Sequence, residues 1–245
     1  MKRLFASFGW ILLLFPVISF AGIRTSLSSF NASLFDTENR PVKNFSSISS
    51  SGSFDVYIKM GQRESLRLEG SKDMLSRVET IVENGDLKIR TKKDTQRSWR
   101  FGSGEKVKVY ITAKALKSLN MSGSGDMRVD GIIKAEDFQS RLSGSGSIKL
   151  NLNVSNYLAA ISGSGEIYTT GSAKNTDISV SGSGDFKGEK LRTSTANVKV
   201  SGSGDVSIHA DQRLNAAVSG SGDIYYAGNA KVNSKTSGSG NIKRL

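Results

Sequence analysis

The sequence predicts an all-β chain, a parallel β-helix with 18–21-residue coils and an N-terminal β-rich cap containing one short helix. Three observations lead there. First, the tetrapeptide Ser-Gly-Ser-Gly starts at Ser122, Ser143, Ser162, Ser181, Ser201, Ser219 and Ser237, in steps of 18 to 21 residues. Second, the flanks alternate. Met121, Leu142, Ile161, Val180, Val200, Val218 and Thr236 stand just before each copy, with Leu119, Ser140, Ala159, Ile178, Val198, Ala216 and Ser234 two residues earlier. Apolar or small residues at every second position mark strands with one buried face, whereas a flexible Gly/Ser linker keeps no such columns. Third, a unit this short has no room for a helix hairpin but fits one coil of a solenoid.

Coil stacking places the seven tetrapeptides in one corner ladder, about 29 Å long at the spacing of adjacent strands. Glycine belongs there because a tight corner asks for positive φ and for no Cβ where coils crowd. The serines are expected to bond to one another or to the corner backbone up the stack. Left-handed hexapeptide coils keep a strict multiple of six, so the drifting period favours a right-handed coil. A flat β-roll or a propeller is the alternative, although a propeller blade uses about twice this period.

The elements before the repeats follow in order. Residues 1–21 read as a secretory signal peptide: Lys2 and Arg3, an apolar run from Phe8 to Phe20, and small residues at Ser19 and Ala21 before the cut. The run is short for a bilayer span and holds Pro16, so cleavage is favoured over an anchor. Residues 22–41 are a polar, loose leader. Residues 42–245 form one domain, with a cap and first coil over 42–120 and the repeats over 121–245. Phe45 to Ile58, containing Ser51-Gly52-Ser53-Phe54-Asp55, is a degenerate first copy of the unit. Leu66 and Leu68 continue as a strand. Asp73 to Glu83 carries Met74, Leu75, Val78, Ile81 and Val82 at helical spacing and stops at Asn84-Gly85. Leu87 to Arg90 and Val107 to Ile111 alternate as two strands around a loop from Lys92 to Glu105.

Composition removes several kinds of chemistry. With no cysteine among 245 residues there is no disulfide scaffold, thiolate metal site, cysteine nucleophile or cysteine-linked lipid. His209 is the single histidine, which excludes a two-imidazole metal site. No Gly-x-Ser-x-Gly elbow is present. The predictions are therefore no catalytic residues, no metal ligands and no cofactor.

The string Asn84-Gly85-Asp86-Leu87-Lys88-Ile89, the strand Val107 to Thr112 leading to Leu116, and Met121-Ser-Gly-Ser-Gly-Asp126 together resemble the head GIN domain family, known as auto-transporter adhesins. The resemblance covers roughly residues 42–245. It implies a signal peptide, a β-helix-like fold and an adhesive role, and it transfers no catalytic residue. The chain is too short to hold a translocator barrel as well.

Two features could carry binding. Asp126, Asp185, Asp205 and Asp223 follow four of the tetrapeptides, with Glu166, Ser147 and Asn241 in other copies. Stacked carboxylates could attract calcium. The favoured reading is that each Asp closes its corner by accepting a backbone N–H, with Arg128, Lys149, Lys187 and Lys243 relieving the charge two residues on. A carboxylate pair drawn from Asp185, Asp205 and Asp223 is the basis of the glycan-active enzyme alternative. The other feature is the basic run from Lys88 to Lys108, where Arg97, Trp99, Arg100 and Phe101 interleave charge with aromatic surface and are the candidate ligand contacts. The formal charge of +12 would suit nucleic acid, but export excludes it as a partner. The resulting expectation is an exported, non-catalytic, adhesin-like or envelope-binding protein, periplasmic or at the cell surface, that binds a glycan or another anionic component. A purely structural envelope protein is a further alternative, and self-association through exposed end coils is open.

Overall fold

Strands account for 74% of the described residues and helix for about 3%, arranged as a parallel β-solenoid of about seven turns with coils of about 19 residues. This computed structural model describes residues 36–92 and 106–245. The expected signal peptide, most of the polar leader and the loop bearing Arg97, Trp99, Arg100 and Phe101 lie outside the described residues.

The repeat stack is built from strands that run almost unbroken around each coil: β10 (Ile133–Gly144), β11 (Ser147–Gly163), β12 (Glu166–Gly182), β13 (Asp185–Gly202) and β14 (Val206–Gly220). Each pairs in parallel with the next, and equivalent repeat residues fall in register. Gly144, Gly163, Gly182 and Gly202 follow one another up the corner, and Leu142, Ile161, Val180, Val200 and Val218 up the core. β15 (Ile224–Ala227), β16 (Lys231–Gly238) and β17 (Ile242–Arg244) complete the final turn. There Ser234 and Thr236, which continue two core columns, are exposed.

The corner shows why the motif is glycine-rich. Gly182 has φ +114°, and a Cβ on it would lie 2.5 Å from the carbonyl oxygen of Gly163 one coil below. That same oxygen accepts the N–H of Ser183 at 2.9 Å. Coil-to-coil backbone bonding and a side chain at this position therefore compete for one space. The serines of the motif are exposed, and among the described residues no hydroxyl-to-hydroxyl bond joins them. This corrects the expected serine ladder: the amide of the second serine, rather than its hydroxyl, links the coils.

The cap departs from chain order. β2 (Ser47–Ser51) and β3 (Asp55–Met60) form the degenerate first copy, and they lie between two other layers. On one side are β8 (Ser118–Gly123) and β9 (Asp126–Asp130); on the other are β6 (Asp86–Thr91) and β7 (Lys108–Ala113), which come later in sequence but stack outside them. Antiparallel strands then close the end. β4 (Ser65–Gly70) pairs with β7, β1 (Asp36–Arg40) pairs with β4, and β5 (Val78–Glu83) pairs with β6.

Two expectations change here. Helix α1 covers only Lys72–Arg77, capped by the Ser71 side chain, and the second half of the expected helix is strand β5. Val78, Thr80, Ile81 and Val82 are β-branched, and Asn84 (φ 52°) with Gly85 (φ 78°) makes the two-residue turn of a β-hairpin to β6. Residues 36–40, expected in the loose leader, form β1. Arg40 anchors them by donating to the carbonyls of Leu75 (2.9 Å) and Val78 (2.7 Å), which end the helix.

Candidate functional site

The strand-borne part of the basic run is largely neutralised by acids of the cap. Lys88 pairs with Glu83 at 2.6 Å, Arg90 with Glu79 at 2.6 Å, Lys106 with Asp55 at 3.1 Å and Lys108 with Glu69 at 3.4 Å. The hydrogen bond from Lys88 holds the Glu83 carboxyl below its usual range, and that from Arg90 to Glu79 holds the guanidinium pKa up. These cations serve the hairpins they sit on.

The aspartates that follow the tetrapeptides act as corner braces. The N–H of Asp205 donates to Asp185 Oδ1 (2.9 Å), that of Asp223 to Asp205 Oδ1 (2.8 Å) and that of Asn241 to Asp223 Oδ1 (2.7 Å). At the lower end Asp126 N–H donates to Asp55 Oδ1 (3.3 Å), and the Ser147 hydroxyl to Asp126 Oδ1 (2.5 Å). Where the column carries Glu166, its carboxylate accepts from the Tyr168 hydroxyl and from Lys187 at 2.9 Å. The hydrogen bond from Tyr168 and then that from Lys187 keep Glu166 ionised, while the Asn241 backbone N–H, followed by the Tyr225 hydroxyl, does the same for Asp223. A general acid needs the opposite shift. Among the described residues no three His, Asp or Glu side chains converge in a metal-holding group. His209 points Nε2 at Asp211 Oδ1, 2.9 Å away.

Two residues after each brace runs a second, outward column. In register it reads Arg67, Tyr110, Tyr57, Arg128, Lys149, Tyr168, Lys187, Ser207, Tyr225 and Lys243. Tyr57 and Tyr110 stack with ring centres 5.2 Å apart and planes 17° apart, and the Arg67 guanidinium lies 4.3 Å above the Tyr110 ring. Lys149 and Lys187 flank Tyr168 at 4.8 and 4.9 Å. Toward the C-terminal end the cations turn to the braces, Lys187 to Glu166 and Lys243 to Asp223 at 3.7 Å. Around the tyrosine pair the surface is concave: a groove of about 470 Å³ that also takes in Lys59, Arg128 and Asp130.

The sequence displays most of this column. Arg128, Lys149, Lys187 and Lys243 stand out as the position two after each brace, and Tyr57, Tyr168 and Tyr225 occupy the same place in their copies. Arg67 and Tyr110 join only because β7 and β4 stack out of chain order, which no repeat spacing reveals.

The profile of a family described as "Putative auto-transporter adhesin, head GIN domain" matches residues 44–230. Among solved structures, a putative adhesin from Bacteroides fragilis NCTC 9343 superposes with a TM-score of 0.82 at 22% identity, covering 87% of this chain and 98% of that one. A putative lipid binding protein from Parabacteroides distasonis ATCC 8503 gives 0.70 at 23%, covering 87% and 98%. A putative adhesin from Parabacteroides merdae ATCC 43184 gives 0.68 at 19%, covering 87% and 97%. At these identities the likeness is one of fold. No curated protein matches the sequence. Among the described residues no helix is long and apolar enough to cross a membrane.

Proposed function

The chain belongs to the head GIN domain family, and on that footing we propose that it is an exported, non-catalytic, adhesin-like protein that holds a glycan or another envelope component against the walls of its solenoid. The mature protein begins near residue 22 and works in the periplasm or at the cell surface as one domain over residues 42–245.

The observation that carries this reading is the ten-strand outward column of tyrosines and cations, a regular lateral surface about 43 Å long. Such a wall suits contact with an extended partner. The enzymatic alternative loses its acids, since Asp185, Asp205 and Asp223 each give an oxygen to a backbone N–H of the next coil. Glycoside cleavage needs one protonated and one ionised carboxyl in unlike environments. Arg97, Trp99, Arg100 and Phe101 are proposed as a second set of contacts.

The test is an array of bacterial and host glycans probed with residues 22–245, with and without calcium, alongside a panel of polysaccharides assayed for turnover. Saturable binding without turnover is the expected result. Turnover would sink the non-catalytic reading, and a calcium requirement would move the site to the aspartate column. The triple substitution Arg97→Ala, Trp99→Ala, Arg100→Ala reports on the loop.

A further inference from the structure

We infer that the groove around Tyr57 and Tyr110 is the binding site for an acidic oligosaccharide, a sugar chain with carboxylate or sulfate groups along its length. This rests on the adhesin-like reading above and gives that reading a site and a ligand class.

Charge is the first argument. Arg67, Arg128 and Lys59 line the groove, and none has a carboxylate oxygen within ion-pair distance among the described residues. The Arg67 guanidinium lies over the Tyr110 ring. Asp130 is the one acid in the lining; it stands opposite Lys59 in register without pairing with it. Among the column's other cations Lys187 and Lys243 are held by acids, and Lys149 lies over the Tyr168 ring. The groove thus gathers two of the column's three cations that hold no acid, Arg67 and Arg128, and guanidinium forks match carboxylate and sulfate oxygens.

Ring geometry is the second. Tyr110 is sandwiched between Arg67 and Tyr57, and Tyr57 has Tyr110 on one side with Arg128 in the next register position on the other. Nucleic-acid bases and neutral sugars stack on open aromatic faces, and Tyr110, held between Arg67 and Tyr57, offers none. The accessible part of the pair is Tyr57, 39% exposed, beside the Arg128 position. Hydroxyl-bearing neighbours, Ser65 and Thr112, supply partners for sugar hydroxyls.

Spacing is the third. Arg67 and Arg128 lie three strands apart, about 14 Å along the stack. A single small anion meets one of them, whereas a chain with acidic groups along its length meets both, so affinity should climb with chain length. A membrane surface fits less well. The exposed large apolar side chains among the described residues are Tyr57, Ile132, Leu158 and Leu245, and only Tyr57 lines the groove.

The full mature chain is titrated with hexagalacturonate, its methyl ester, galacturonate monomer, a chondroitin sulfate hexasaccharide and phosphatidylglycerol vesicles. Binding of at least one acidic hexasaccharide is expected, at least tenfold tighter than methyl ester or monomer. Arg67→Gln and Arg128→Gln should each cost about tenfold. Tyr57→Phe should cost about threefold, and Lys235→Gln, on another wall, nothing. Thermal melts of each variant check folding, and Arg128→Lys, which keeps the charge, should bind better than Arg128→Gln. Acidic-glycan binding that survives both arginine substitutions overturns the groove and leaves the adhesin-like reading standing. Equal affinity for the methyl ester overturns the ligand class. Binding to vesicles with none to any oligosaccharide overturns the inference and the glycan reading together.

Discussion

The cap-side layers and the repeat stack use the same coil and the same outward column, yet they leave their side chains in different states. In the stack, regularity puts each residue beside its equivalents, and polar groups find partners one coil away. Asn197 donates to Asp177 (2.7 Å), Asn215 to Asn197 (2.8 Å), Lys187 to Glu166, and Asp185, Asp205 and Asp223 each take a backbone N–H. In the cap, out-of-order layers and antiparallel strands bring unlike residues together, so Arg67, Arg128 and Lys59 meet no acid and a groove opens. Repetition here builds a rod, and its interruption leaves functional groups unengaged.

That contrast is sharpest at the glycines. Gly182→Ala in the stack meets both a positive φ and a carbonyl oxygen 2.5 Å away, so a loss of about 4 kcal/mol is expected. Gly70→Ala in the cap places its Cβ no closer than 3.4 Å to Leu75 and Val107 and should shift stability by less than about 1 kcal/mol. Chemical denaturation of the two variants measures the difference, and equal losses would break the comparison.

Buried hydroxyls give the next test. Tyr157, buried in the stack, sits 2.8 Å from the Ser140 hydroxyl and 3.1 Å from that of Thr169, with burial pushing its own pKa up to about 12. Tyr157→Phe strands these partners and should cost about 1–2 kcal/mol. Ser50 in the first coil is buried with no partner for its Oγ, so Ser50→Ala should cost nothing or stabilise slightly.

Acid should loosen the stack. The folded-state pKa values of Asp223 and Glu166 lie below their ordinary 3.8 and 4.5, owing first to the Asn241 N–H and the Tyr168 hydroxyl respectively. Their stabilisation is complete above those ordinary values and is lost as pH falls through the depressed ones. Thermal melts should therefore be flat from pH 7 to about 5.5 and fall below about pH 4.5, with a shallower fall in Asp223→Asn. The smallest effect is expected from Lys187→Gln, whose charge Glu166 already holds. Its oligosaccharide affinity should change less than about twofold, against about tenfold for Arg128→Gln.

The stack is legible in the sequence because repetition writes one structural fact many times. Seven copies make the alternation around Val180 or Ile161 unmistakable, and the corner glycines announce a backbone that no side chain can share. The cap is written once. Val78 to Val82 satisfies helical spacing and β-propensity alike, and only pairing with β6 decides between them. The groove was less legible still. Tyr57 and Arg128 hold equivalent places in their coils, but nothing local to Arg67 or Tyr110 says that β4 and β7 will lie outside β3. The candidate contacts Arg97, Trp99, Arg100 and Phe101 rest on local charge and aromatic content alone, which cannot register neighbours brought in by topology.

The unbroken register between coils also sets how the molecule carries force. From Ser147 opposite Glu166 to Gly163 opposite Gly182, two coils share one ladder whose bonds run along the stack. Tension along that axis pulls these bonds open from one edge, so coils peel away in succession. A sideways tug on a wall residue such as Arg128 instead shears whole ladders, which must yield together. A ligand tethered to the wall would thus meet the stiff direction of the rod, and its release would be governed by its own grip before any coil gave way.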